Sequence, residues 1–151
     1  MRLTVVNASP RGASGNTARV LGAFAEGLRE GGLHDFVVRL VRELDEPRAV
    51  RAAWEESEAL LLAFPLYAYS LPAPAVRFVA RLAPLVGTGA GKSLSFLCQY
   101  GFREACHARP CERQLRRVAE SLGARYGGTL VRGGCEGLRE FPAPVARRRL
   151  D

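Results

Sequence analysis

Leu3-Thr4-Val5-Val6-Asn7-Ala8-Ser9-Pro10-Arg11-Gly12-Ala13-Ser14-Gly15-Asn16-Thr17 opens the chain with two different kinds of sequence. Leu3 to Val6 is an apolar, β-branched run without alternation, which reads as a strand covered on both faces. Ala8 to Asn16 is a loop of small and polar residues. Beyond it Leu21, Phe24, Ala25 and Leu28 recur at spacings of three and four, the pattern of one helix face, and Gly31-Gly32 closes that helix. Strand, polar loop and helix in this order form the first unit of an α/β protein.

The same alternation continues outward. Phe36–Leu40 reads as the next strand, and Pro47 suits the first turn of a short helix through Trp54, with Val50, Ala53 and Trp54 facing inward. Ala59 to Phe64 is a continuous apolar run stopped by Pro65, as a central strand requires. Val76, Val79 and Leu82 mark a third helix, which ends before Gly87. Ser93 to Gln99 reads as a fourth central strand. Pro110 opens a helix whose stripe is Leu115, Val118, Ala119 and Leu122, and Tyr126 to Val131 is the last strand. Five strands separated by helices imply a doubly wound parallel sheet, because a barrel needs about 250 residues. All 151 residues are expected to form one domain. From Gly133 onward no apolar stripe is evident, so a fifth helix is expected to be short or missing.

Composition narrows the function classes. Hydrophobic residues make up 48% and charged residues 25%, which excludes a disordered chain. No apolar stretch approaches a membrane span and none follows a basic start, so the cytoplasm is the expected location and no membrane partner is expected. The formal charge is +7, yet Lys92 is the only lysine and isoleucine is absent. That bias reflects codon choice in a GC-rich genome, so arginine richness is weak evidence and nucleic acid is not an expected partner. The run Arg147 to Arg149 reads as a solvated tail. Cys98, Cys106, Cys111 and Cys135 are expected to stay reduced. Cys106, His107 and Cys111 offer only three ligands at a spacing unlike common zinc frameworks, and no metal site is expected.

Open parallel sheets bind ligands beyond the carboxyl ends of their strands. Three loops leave those ends, spanning residues 8–16, 65–74 and 100–109. The first gathers hydroxyls at Ser9, Ser14 and Thr17, the Arg11 guanidinium, Asn16 and a helix N-terminus, the set of groups that holds a phosphate. Its spacing is neither GxGxxG nor a Walker loop. Ser14 or Asn16 serving as a helix cap is the alternative. The second loop holds Tyr67 and Tyr69 among prolines and no charge, which suits a planar ligand or a protein interface. The third begins Gln99-Tyr100-Gly101-Phe102, where glycine permits close approach and the amide can pair with a heterocycle edge.

Ser9-Pro10-Arg11 followed by Asn16-Thr17 resembles the phosphate loop of the NADPH-dependent FMN reductase family, whose fold is flavodoxin-like. Pro65-x-Tyr67-x-x-Ser70-x-Pro72-Ala73, with Phe78 and Arg81 after it, is similar to that family's second flavin loop and the helix that follows. The resemblance implies strand order 2-1-3-4-5, bound FMN, NAD(P)H as co-substrate, a small-molecule electron acceptor and a homodimer with flavin near the subunit contact. It implies that Ser9, Arg11, Asn16 and Thr17 hold the phosphate, that Pro65, Leu66, Tyr67 and Ala68 lie along the isoalloxazine, and that Gln99 to Phe102 close its other side. No dedicated acid–base residue is implied, since the flavin supplies the chemistry. Ala80 stands where the family usually has Asp before the arginine.

Around the three loops Arg11, Arg103 and Arg109 face only Glu104, which favours an anionic reduced ring and two-electron chemistry. The alternatives are a flavodoxin-type one-electron carrier and a non-catalytic flavodoxin-like binding module. A bare face of the last strand would call for a partner chain.

Overall fold

The computed structural model describes residues 1–142 of the chain, and the Arg147–Arg149 tail lies outside them. Five strands form one sheet in the order β2-β1-β3-β4-β5. They are β1 (Leu3–Asn7), β2 (Phe36–Leu40), β3 (Ala59–Pro65), β4 (Ser93–Gln99) and β5 (Arg125–Arg132). Every pairing is parallel, with Leu3 opposite both Phe36 and Ala59, and Ala59 opposite Ser93. The crossovers are α1 (Asn16–Glu30), α2 (Pro47–Glu55), α3 (Ala73–Arg81) and α4 (Arg109–Ser121). The expected flavodoxin-like architecture is therefore the observed one.

Burial explains why these segments are strands. Every residue of β1 and of β3 is buried, because helices cover both faces of the sheet centre. Side chains alternate between two cores. Leu60, Leu62, Phe64 and Phe96 join Trp54, Phe78 and Leu115 on the side of α2, α3 and α4. Leu61, Ala63 and Leu97 join Val20 and Leu21 of α1 on the other. Proline sets three starts, at Pro47 in α2, Pro74 in α3 and Pro110 in α4.

The third helix departs from expectation. Val76 is 51% exposed, whereas Ala75, Phe78 and Leu82 are buried. The Phe78 ring buries more apolar area than either valine, so it takes the core position and turns Val76 outward. The helix also begins earlier than its valines suggested, at Ala73.

Beyond β5 no further α-helix occurs among the described residues. The segment turns back instead, through a single helical turn at Leu138–Glu140. Cys135 and Leu138 are buried against the α1 core, and Phe141 packs beside them. This covers part of the face expected to lie bare, although Leu130 of β5 remains 53% exposed. No helix among the described residues is long and apolar enough to cross a membrane.

Candidate functional site

The carboxyl ends of β1, β3 and β4 stand side by side and fix the floor of a cleft. Backbone pairing continues past the strands. The Ala8 amide donates to the Ala63 carbonyl at 2.7 Å, and the Leu66 amide to the Gln99 carbonyl at 2.9 Å. Those bonds hold the three loops in register before any side chain is considered.

The first loop is shaped by its own polar groups. Asn7 Oδ1 accepts from the Ser9 amide at 3.0 Å, and its Nδ2 donates to the Gly12 carbonyl at 3.1 Å. Ser9 Oγ accepts from the Arg11 amide at 3.3 Å. At Gly15 a Cβ would sit 3.0 Å from both Ser9 Oγ and Arg11 Cβ, so the loop closes tightly over a residue without a side chain.

The capping alternative is not what forms. Gly15 occupies the N-cap of α1, no side chain caps that helix, and its first turn holds no acidic residue. Ser14 Oγ turns back to the Arg11 carbonyl at 2.9 Å, and Asn16 Nδ2 donates to the Cys135 carbonyl at 2.6 Å. Arg11 is exposed and has no acidic partner among the described residues. A 15-residue helix with an uncapped N-terminus beside such a guanidinium offers the donors and positive charge that an anion needs.

The cleft itself has a volume of about 540 Å³, within the range of small-molecule sites. Ser9, Arg11 and Asn16 line its polar end; Pro65, Leu66, Tyr67, Gln99, Tyr100, Gly101 and Phe102 line the rest. Three expected residues stand off its wall. Thr17 is fully buried and its Oγ1 accepts from Gln99 Nε2 at 3.1 Å, bracing the floor from beneath. Ser14 is exposed on the outer side of the loop, and Ala68 belongs to the rim turn.

That turn is strained. Tyr67 and Ser70 exchange two backbone hydrogen bonds, of 3.0 and 2.9 Å, around Ala68 and Tyr69. Both central residues are left-handed, with φ of 47° and 62°, a geometry that glycine or asparagine ordinarily supplies. It lifts Tyr67 and Tyr69 into solvent at 50% and 57% exposure. Tyr69 and Phe102 both pack on His107, with ring centroids 5.4 and 5.0 Å away, so the rims of the second and third loops meet. Tyr100 is buried and donates its hydroxyl to the Glu104 carbonyl at 3.0 Å; burial pushes its phenol pKa up.

One wall was missed. Glu136, Gly137 and Glu140 complete the cleft from the irregular segment after β5. Backbone bonds tie that segment to the third loop, from the Gly134 amide to the Phe102 carbonyl at 2.8 Å and from the Cys135 amide to the Tyr100 carbonyl at 2.9 Å. The positive surround expected from loop arginines is thereby corrected. Among the described residues Arg11 is the one arginine lining the cleft, which Glu136 and Glu140 also line, while Arg109 pairs outside it with Glu112 at 3.0 Å. The sequence signal available was the pair of acids within eight residues of a strand end.

The cysteines take no part in the cleft. Burial pushes the thiol of Cys98 up to about 12 and that of Cys111 up to about 11, and raises Cys135 as well. Cys106 alone is exposed. Among the described residues no three His, Cys, Asp or Glu side chains gather as a metal site.

The residues present fit a flavin mononucleotide. Its phosphate needs oriented donors and positive charge, which Ser9, Arg11 and the α1 N-terminus provide; its ring needs flat apolar walls with an amide edge, which Leu66, Tyr67, Tyr100 and Gln99 provide.

Comparison with known proteins agrees with the geometry. A family model described as flavodoxin-like fold matches residues 1–83. The fold is similar to that of an NADPH-quinone reductase from P. pentosaceus, with a TM-score of 0.70 and 17% identity over 99% of this chain and 93% of that one. It is similar to general stress protein 14 from Treponema denticola, solved in complex with FMN, with a TM-score of 0.71 and 15% identity over 99% and 95%. A flavodoxin from Streptococcus pneumonia aligns with a TM-score of 0.64 and 22% identity over 98% and 97%. Among curated proteins none matches by sequence.

Proposed function

The chain belongs to the Flavodoxin_2 family, NADPH-dependent FMN reductase-like and flavodoxin-like in fold, and from that premise we propose that it is an FMN-dependent NAD(P)H oxidoreductase. In this reading the substrates are a nicotinamide dinucleotide and a small acceptor such as a quinone. The observation that carries it is the union, in one cleft, of an uncapped helix terminus beside Arg11 with an aromatic, charge-free floor.

Ser9, Arg11 and Asn16 bind the phosphate end, with Ser14 and Thr17 shaping and bracing the loop around it. Pro65, Leu66, Tyr67 and Ala68 form one side of the ring site, and Gln99, Tyr100, Gly101 and Phe102 the other. When bound, the flavin supplies acceptance and donation of hydride. The chain's part is to hold that ring still, to screen its buried edge from water with Leu66 and Tyr100, and to leave one face open between Tyr67 and Phe102. No side chain is assigned proton transfer.

The exposed Tyr67, Tyr69 and Phe102 beside the cleft support a homodimer that brings the flavin near the subunit contact. Sedimentation at micromolar concentration tests that, with a monomer counting against it. A cytoplasmic setting belongs to the same reading.

Titration with FMN, followed by flavin fluorescence, tests the proposal, and NAD(P)H oxidation with benzoquinone tests the reaction. Failure to take up FMN overturns both and leaves the binding-module reading. A second reading, one-electron carriage, is favoured by Glu136 and Glu140, whose negative charge beside the ring opposes full reduction.

A further inference from the structure

β2 forms one edge of the sheet and pairs with β1 alone. Its sequence, Phe36-Val37-Val38-Arg39-Leu40, reads like an inner strand, yet Val37 is 40% and Val38 46% exposed. An edge with a bare aliphatic side chain on each face is one that a further strand can cover. The Leu3 amide donates to the Asp35 carbonyl at 3.0 Å. By alternation Asp35, Val37 and Arg39 turn their backbone groups toward β1, and Phe36, Val38 and Leu40 turn theirs outward. Two of the three outward amides are engaged, Phe36 by the His34 carbonyl at 3.1 Å and Leu40 by Glu43 Oε2 at 3.2 Å. The Val38 amide, at the centre of the edge, is the open donor among the described residues.

The side chains select the strand that fits. Asp35, Val37 and Arg39 share the face toward α2, where they line a groove with Ala49, Ala52 and Ala53. Phe36 packs on the α1 core, and Val38 shares its face. Arg39 has no acidic partner among the described residues, and Asp35 meets Arg2 at 3.7 Å with both side chains mostly exposed. A second β2, antiparallel about a two-fold axis at Val37, sets Asp35 opposite the copy's Arg39 and Arg39 opposite the copy's Asp35. Val37 meets its own copy between them. On the other face Phe36 lies against the copy's Val38, and Val38 against the copy's Phe36. Every pair is then apolar or of opposite charge. The same register brings the copy's Phe36 carbonyl to the open Val38 amide, once from each side. Sliding the strands one step either way sets Asp35 and Arg39 opposite valine or leucine and loses both ion pairs.

We propose that the β2 edge is an interface for a second copy of this chain, joining the two sheets into one. The small side chains of Ala49, Ala52 and Ala53 leave room beside Val37 for the copy's strand. This contact is separate from the one at the cleft rim, since none of its residues lines the cleft, and it does not need the flavin reading. Because the paired strands run antiparallel, the two clefts open at opposite ends of the joined sheet.

The test places Val37→Cys or Val38→Cys in the full chain together with Cys106→Ser, which removes the exposed native thiol. Residues opposed at the two-fold axis stand about 4.5 Å apart at Cα, within disulfide reach. The two copies of Val38 sit diagonally, about 7–8 Å apart, beyond it. Oxidation with diamide is expected to convert Val37→Cys to a covalent dimer on a non-reducing gel and to leave Val38→Cys mostly single. In the Val37→Cys chain, Asp35→Arg and Arg39→Asp should each abolish the cross-link, because like charges then face each other, and the two together should restore it. Both side chains are exposed, and circular dichroism checks that each variant is folded. Equal cross-linking at the two positions marks random collision and overturns the proposal. Absence of any cross-link at Val37 overturns it too and leaves the edge to a different chain. A cross-link that survives the single reversals, or that the double reversal fails to restore, does the same.

Discussion

Gln99, at the end of β4, donates its side-chain amide to the hydroxyl of Thr17 in the first turn of α1, and both residues are buried. The bond spans the sheet from its fourth strand to its first helix and sets the distance between two walls of the cleft. Thr17→Val removes the acceptor and leaves the Gln99 amide buried without it. Stability is expected to fall by about 1–3 kcal/mol, read as a lower urea midpoint. FMN affinity should fall less than in Arg11→Ala, because Thr17 touches the cleft only through Gln99.

Arg11→Ala should weaken FMN binding by about 1.5 kcal/mol, roughly tenfold, with little change in thermal midpoint. Glu140→Gln should act in the opposite sense, tightening FMN a few-fold by removing a negative charge from the wall that faces a dianion. Fluorescence titration of both variants checks the pair. A charge-neutral response to both would separate the phosphate from this end of the cleft.

Ala68 lies in the left-handed region with φ of 47°, where an L side chain is strained. Ala68→Gly should relieve that strain and raise stability by about 1 kcal/mol, offset in part by the greater freedom of glycine in the unfolded chain. Differential scanning calorimetry reads the change as a higher midpoint.

Of the four thiols, one is expected to react rapidly with a disulfide reagent at pH 8, namely Cys106, with the other three released only on unfolding. The same burial makes stability pH-dependent on the alkaline side. Folded Cys98 and Cys111 keep their protons up to about 12 and about 11, whereas the unfolded chain loses them near the ordinary thiol value of 9.0. The unfolded state therefore binds fewer protons in that window, so stability is whole below pH 9 and declines above it. Cys98→Ala should flatten the decline while lowering stability at pH 7.

Gly133 packs against the backbone of the third loop. A Cβ there would strike the Phe102 carbonyl and come within 2.8 Å of the Arg103 carbonyl. Gly133→Ala should cost about 1–3 kcal/mol of stability and loosen FMN together, since it displaces the loop that carries Gly101 and Phe102. Denaturation and titration of one preparation test that coupling.

The sheet and most of the cleft were legible in the sequence because they rest on regular patterns. Leu3 to Val6 and Ala59 to Phe64 are near-continuous apolar runs whose register brings their loops together. Val76 misled because spacing alone does not choose between the face of Val76 and that of the larger Phe78, two residues on and about 200° round the helix. Glu136 and Glu140 escaped because the segment after β5 has no period, and its place on the cleft is set by long-range backbone bonds to Tyr100 and Phe102. Thr17 was drawn to the ligand by its position in the loop, yet its hydroxyl satisfies a neighbour instead.

Arg11 stands between two hollows and belongs to both, the cleft and a smaller one that Arg42 and Arg77 also line. A single cation with two claimants makes any anions there rivals: charge settled on one side leaves less attraction for the other, and the penalty is mutual.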